Sequence, residues 1–100
     1  MITKIYKFEA KMWLWNERNA NWYFFSLPLN TFDQIKEIYG WTNNGFGSIP
    51  VTVTINKTTW KTSIFPSKGK QTYILPIKAI IRKALKLELD QIVKVKVEIK

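Results

Sequence analysis

The chain contains no cysteine and no histidine. The first absence excludes a disulfide framework, a zinc–thiolate site and a thiol nucleophile. The second removes the commonest general base and the commonest metal ligand together. Acidic residues are also few: seven Asp and Glu stand against sixteen Lys and Arg, a formal net charge of +9. No apolar run approaches the ~20 residues of a membrane-spanning helix, and Met1-Ile2-Thr3-Lys4 does not open a secretory signal. These absences predict a soluble cytoplasmic protein with no cofactor, no metal and no membrane partner. Catalysis has little to work with. A nucleophile would have to be Ser48 or Ser63 activated by Lys61, and the acids offer no short pairing except Glu88 with Asp90. We therefore assign no catalytic residue and expect binding rather than chemistry.

What remains is enough apolar material for one core. Hydrophobic residues make up 46% of the chain and aromatics 15%, which predicts a single domain over residues 1–100. Lys4 to Trp15 alternates as a half-buried strand does, with Tyr6, Phe8, Ala10, Met12 and Leu14 on one face. A polar turn over Asn16 to Asn21 leads to an aromatic strand, Trp22 to Leu27, which Pro28 ends. Asn30 or Thr31 then caps a helix through about Tyr39, with Phe32, Ile35, Ile38 and Tyr39 as its apolar stripe and Gly40 at its end. Ser48 to Ile55 alternates again, turns at Asn56-Lys57, and returns as Thr58 to Phe65. Pro66 to Lys70 reads as a loop, and Gln71 to Leu75 as a fifth strand. A second helix follows Pro76. Its inner face is Ile77, Ile80, Ile81, Ala84 and Leu85, and Lys78, Arg82 and Lys86 stand outward at steps of four. Ile92 to Ile99 is the last strand, with Val93, Val95, Val97 and Ile99 inward.

The order strand, strand, Leu-Pro, helix, strand occurs twice. Leu27-Pro28 matches Leu75-Pro76 at an offset of 75 − 27 = 48, and Val51 to Ile55 matches Val95 to Ile99 at 95 − 51 = 44. The four extra residues of the first copy lie at Trp41 to Asn44. The predicted fold is mainly β: a small six-stranded barrel, closed or double-split, with two short helices and an internal ββαβ pseudo-repeat.

Three stretches carry a resemblance: Gly45 to Val51, Thr58 to Pro66, and Tyr73 to Lys78. Together they resemble an uncharacterised bacterial family, domain of unknown function 1905. The resemblance covers nearly the whole chain, including the first hairpin with Trp13, Trp15 and Trp22. It implies a small β-barrel and no activity. A looser similarity links Leu75 to Leu85 and Leu89 to Val93 with swapped-hairpin transcription factors and antitoxin DNA-binding domains, which form double-split barrels as dimers. The chain departs from that pattern at Leu89, where those proteins usually carry Gly. Its first helix is also not basic, with Asp33 and Glu37 against Lys36.

Two binding surfaces compete. For nucleic acid, Lys78, Arg82 and Lys86 on the second helix and Lys94 and Lys96 on the last strand supply cations for phosphates. Trp13 and Trp15, outward on the first strand, supply faces on which bases stack. The plainer reading makes the lysines a solvated face and the tryptophans a covered second core. For a small anionic ligand, Trp41, Asn44 and Ser48 beside Trp60, Lys61 and Ser63 combine backbone donors, hydroxyls and a cation. The plainer reading there assigns Gly45 and Gly47 to a positive φ and a bulge. A structural or protein-interaction domain is the third possibility, and a monomer or weak homodimer is expected throughout.

Overall fold

The computed structural model describes residues 3–39 and 47–99; the insertion at Trp41 to Asn44 lies outside them. Seven strands form a curled half-barrel with two short helices. In chain order they are β1 (Lys4–Lys11), β2 (Trp13–Glu17), β3 (Ala20–Ser26), α1 (Leu29–Tyr39), β4 (Ile49–Ile55), β5 (Thr58–Ser67), β6 (Thr72–Pro76), α2 (Ala79–Ala84) and β7 (Ile92–Ile99). Neighbours run in the order β1-β7-β4-β5-β6-β3-β2, and every pairing is antiparallel.

Seven strands stand where six were expected because the first one breaks at Met12. The inward phase persists to that point, with Tyr6, Phe8 and Met12 buried, and is lost at the exposed Leu14. β1 pairs with β7 and β2 pairs with β3, so one continuous segment supplies both ends of the strand order. Met12 is the hinge between them.

Turn chemistry sets the registers. Arg18 and Asn19 both take positive φ, 52° and 65°, the conformation a two-residue hairpin turn requires. That turn pairs Glu17 with Ala20 and Trp15 with Trp22. At the β4–β5 turn only Asn56 is left-handed, at φ 56°, so Lys57 needs no glycine. β5 runs further than the sequence implied. Pro66 pairs with Tyr73 and Ser67 with Thr72, and the turn begins only at Lys68, held by Gln71 N donating to Ser67 O at 2.8 Å.

Two ladders, β4–β7 and β3–β6, each contain one pair of residues that the sequence repeat equates. Val53 pairs with Val97, 97 − 53 = 44 positions on. Ser26 pairs with Ile74, 74 − 26 = 48 positions on. The two Leu-Pro junctions lie beside the second ladder, where Leu27 N donates to Tyr73 O at 3.0 Å and Ile77 N donates to Tyr23 O at 2.9 Å. Thr72, polar and buried, is satisfied by donating Oγ1–H to Leu27 O at 2.9 Å.

The core fills the concave side, where Phe25, Ile35, Val53, Ile64, Leu75 and Val97 are fully enclosed. Each helix reaches it less fully than its apolar stripe predicted. α1 buries Thr31 and Ile35 and sets Phe32 against Tyr73 in a tilted contact with centroids 5.3 Å apart, while Ile38 turns to solvent. The helix begins at Leu29, with Phe32 N donating to Pro28 O at 2.9 Å. Asn30 and Thr31, expected as its cap, therefore lie inside the first turn, where Asn30 Oδ1 accepts from Thr31 N at 2.9 Å. α2 is only six residues long and buries none of them. Ile77 ahead of it is buried, Ile81 and Leu85 are half-buried, and Ile80 and Ala84 face outward. A single row at steps of four therefore meets the sheet, and the second row expected there does not.

This arrangement gives two stability predictions. Met12→Ala should cost about 2–5 kcal/mol in urea unfolding, because it empties an enclosed site at the hinge. Ile80→Ala should stay within ~0.5 kcal/mol. Equal costs would mean that the hinge is not a packing constraint. The second prediction concerns Tyr6, whose buried hydroxyl has no hydrogen-bond partner. Burial first, and Tyr39 second, push its phenol up from the ordinary value of 10.0, and burial pushes Tyr73 up as well. The unfolded chain therefore ionises first. Stability held below pH ~10 falls as pH rises above it. Tyr6→Phe should unfold at equal or higher urea at pH 7 and lose less stability at pH 11. A loss above ~1 kcal/mol at pH 7 would show that the hydroxyl is satisfied.

Candidate functional site

β2, β3, β6 and β5 are consecutive neighbours, and their outward face is aromatic. The register places Trp13 opposite Phe24 and Trp15 opposite Trp22. The same face continues through Pro76 and Ile74 of β6 to Phe65 of β5. Two of these rings are committed to the fold. Phe24 is buried, and Trp13 lies 4.9 Å from it between ring centroids. The Trp13 indole N–H donates to Ser26 Oγ at 2.9 Å, and Lys70 Nζ sits 4.3 Å above its ring.

The other three rings remain open. Trp22 is 54% exposed, Trp15 49% and Phe65 42%. They line one groove of about 660 Å³, with Phe24, Ile74 and Pro76 also in its walls and Lys78 and Arg82 from the α2 end. Scattered apolar surface residues are ordinary in folded proteins. Three large aromatics gathered in one concavity are the informative case.

Arg82 is held in place. Its guanidinium carbon lies 4.0 Å from the Tyr23 ring centroid, a cation–π contact worth roughly 0.5–2 kcal/mol. Its Nε is buried with no acceptor. Among the described residues the ion pair found is Lys96 with Glu98, at 3.4 Å. Lys78 and Arg82 thus have no carboxylate partner there.

The five cations expected to form one footprint divide in the structure. Lys78 and Arg82 border the aromatic groove. Lys86 is exposed just past α2, at φ 53°. Lys94 and Lys96 line a separate depression of about 520 Å³ with Lys7, Glu9 and Asn56. There Lys94 stands opposite Glu9 and Lys7 opposite Lys96 in the β1–β7 ladder, and Lys96 pairs with Glu98 at 3.4 Å, so part of the charge on that sheet face is balanced.

The proposed anion pocket is only partly assembled. Ser48 and Lys61 share a depression of about 430 Å³ with Tyr39. Ser63 is half-buried opposite Pro50, and Trp60 pairs with Val53, packing against the core on the other face of β5. Trp41 and Asn44 lie outside the described residues. Gly47 takes φ 45°, as the plainer reading of that loop required. Among the described residues no group of three or more His, Cys, Asp or Glu is placed to hold a metal ion. No described helix is long and apolar enough to cross a membrane.

Trp22, Tyr23 and Phe65 were not among the site residues expected from the sequence. For Trp22 the signal was present: Trp15 and Trp22 are equidistant from the Arg18-Asn19 turn, so a two-residue hairpin must pair them. Tyr23 has no such signal, because its partner Arg82 is remote in sequence. Phe65 was hidden by Pro66, which reads as the start of a loop.

No curated protein matches the chain. The model of the family described as Domain of unknown function (DUF1905) matches residues 8–97, and the chain belongs to that family.

Proposed function

We propose that this domain is a binding module for single-stranded nucleic acid, with the aromatic groove as its site. The observation that carries the reading is the meeting of three open aromatic rings with two cations that lack carboxylate partners. Bases stack on Trp15, Trp22 and Phe65, and phosphates lie against Lys78 and Arg82. Stacking contributes about 1–3 kcal/mol per base and accepts any base, since each has a π-face. Binding is accordingly weak, salt-sensitive and tolerant of sequence. The net charge of +9 draws a polyanion in and opposes two copies meeting at this surface, which favours a monomer. Lys94 and Lys96, across a separate depression, play no direct part.

The same reading takes the half-barrel as a split barrel in which β1 and β2 act as one strand bent at Met12. The β4–β7 ladder, centred on Val53–Val97, and the β3–β6 ladder, which includes Ser26–Ile74, support it, because each contains a residue paired with its own repeat image. The bend leaves β2 at one end of the strand order, and the groove opens beside it.

Fluorescence anisotropy with labelled oligothymidylate across a salt series tests the function. Two phosphate contacts should give a log K against log[salt] slope of about −1.4. Trp15→Ala and Trp22→Ala should each weaken binding by about 1–3 kcal/mol, whereas Lys94→Ala should change it little. Absence of binding at low salt, or tryptophan variants that bind like the parent, would overturn the reading.

A further inference from the structure

Three features stand apart from the stacking surface: the depression lined by Lys7, Lys94 and Lys96, the Tyr6 hydroxyl, which has no hydrogen-bond partner, and the Arg82 guanidinium, whose Nε has none. The first has Glu9 and Glu98 among its lysines. The second is enclosed in the core beside Tyr39. Arg82 alone faces an open groove.

Arginine presents its donors as a planar fork, and a fork free to rotate loses orientation entropy on each contact it makes. Here rotation is restricted. The guanidinium carbon is 4.0 Å from the Tyr23 ring centroid, and Nε is closed off from solvent without an acceptor. A buried donor left without an acceptor carries a desolvation cost. That cost is consistent with a guanidinium held by packing on the ring rather than by its own hydrogen bonds. Nε is closed off, so the two terminal Nη groups are the donors left for a ligand in the groove that Arg82 lines. Among the described residues no carboxylate or carbonyl takes those Nη groups. An oxyanion with two oxygens about as far apart as the two Nη donors is their natural complement.

We infer that Arg82 forms a discrete phosphate subsite at the α2 end of the groove, gripping one phosphoryl group through both Nη donors while Tyr23 holds the guanidinium plane. The inference rests on the strand-binding reading of the groove for its ligand and on the Arg82–Tyr23 geometry for its position. Arg82 is therefore more than one cation among sixteen. It fixes where the strand's backbone sits, and Lys78 contributes a less directional charge beside it.

The test separates geometry from charge. Arg82→Lys keeps the net charge but loses the fork, so its affinity for oligothymidylate at fixed salt should fall about ten-fold, close to the loss in Arg82→Gln. Tyr23→Phe, which keeps the ring, should bind like the parent, and Tyr23→Leu should behave like Arg82→Lys. Thermal unfolding of each variant checks that the fold is retained. Arg82→Lys binding within two-fold of the parent would overturn the subsite while leaving strand binding intact. If the parent binds no oligonucleotide, the subsite is read separately by titrating inorganic pyrophosphate against chloride at matched ionic strength. A saturable shift of the Arg82 Nε–H resonance, with Tyr23 and Lys78 following, upholds the subsite. No shift, or equal shifts spread over the surface lysines, overturns it.

Discussion

The bend at Met12 is the constraint on which the rest of the molecule depends. A strand of fourteen residues, Lys4 to Glu17, is asked to pair with β7 through its first part and β3 through its second. It can do so only by changing direction, and an almost fully buried methionine, 2% exposed, sits at the change. Methionine suits the place: it is unbranched and adaptable, and fills an irregular space that a β-branched residue would leave strained. β5 meets the same demand from the other repeat. It pairs with β4 through Ile64 and with β6 from Phe65 onward, without breaking. Two long strands, each serving two partners, let a hundred residues enclose one core.

The same geometry explains why an aromatic surface stays open. Beyond the bend, β2 is short and lies at the end of the strand order. α2, which borders the groove beside it, has six residues and buries none of them. Trp13 finds a place by bonding Ser26 and carrying Lys70 on its ring. Trp15 and Trp22, two positions nearer the hairpin tip, lie past the cover. Large exposed rings beside unpaired cations are a surface on which a flat, negatively charged ligand loses little by docking, because both parts of it find a complement at once.

Much of the fold was legible from periodicity. The Val51–Ile55 and Val93–Ile99 strands alternate in the sequence and alternate in burial. The repeat offsets of 44 and 48 reappear as one pair in each of two ladders, at the centre of β4–β7 and at one end of β3–β6. Illegible parts have identifiable causes. Alternation through Met12 is unbroken in the sequence, so nothing local announces a bend that arises from pairing demands at both ends. Pro66 and Pro76 read as loop or stop residues, yet both sit in ladders near strand ends, where a missing N–H is tolerated. The basic footprint was legible only as a list of charges: α2 and β7 each present lysines outward, but sequence says nothing of which groove each borders. The pairing of Trp15 with Trp22 was available from the turn, whereas Arg82 on Tyr23 is a tertiary contact between residues 82 − 23 = 59 apart.

The central claim is that ligand meets the molecule at the open tryptophans and not at the lysines of β7. Indole N–H resonances report this directly, since Trp15 and Trp22 share the open groove while Trp13 bonds Ser26 and Trp60 packs against the core. The measurement is a ¹H–¹⁵N titration of the protein with a short oligothymidylate at low salt. Large saturable shifts at Trp15 and Trp22, with Trp13 and Trp60 nearly still and the β7 amides unchanged, are the predicted result. Shifts confined to Lys94, Lys96 and their neighbours, with Trp15 and Trp22 unmoved, would contradict it.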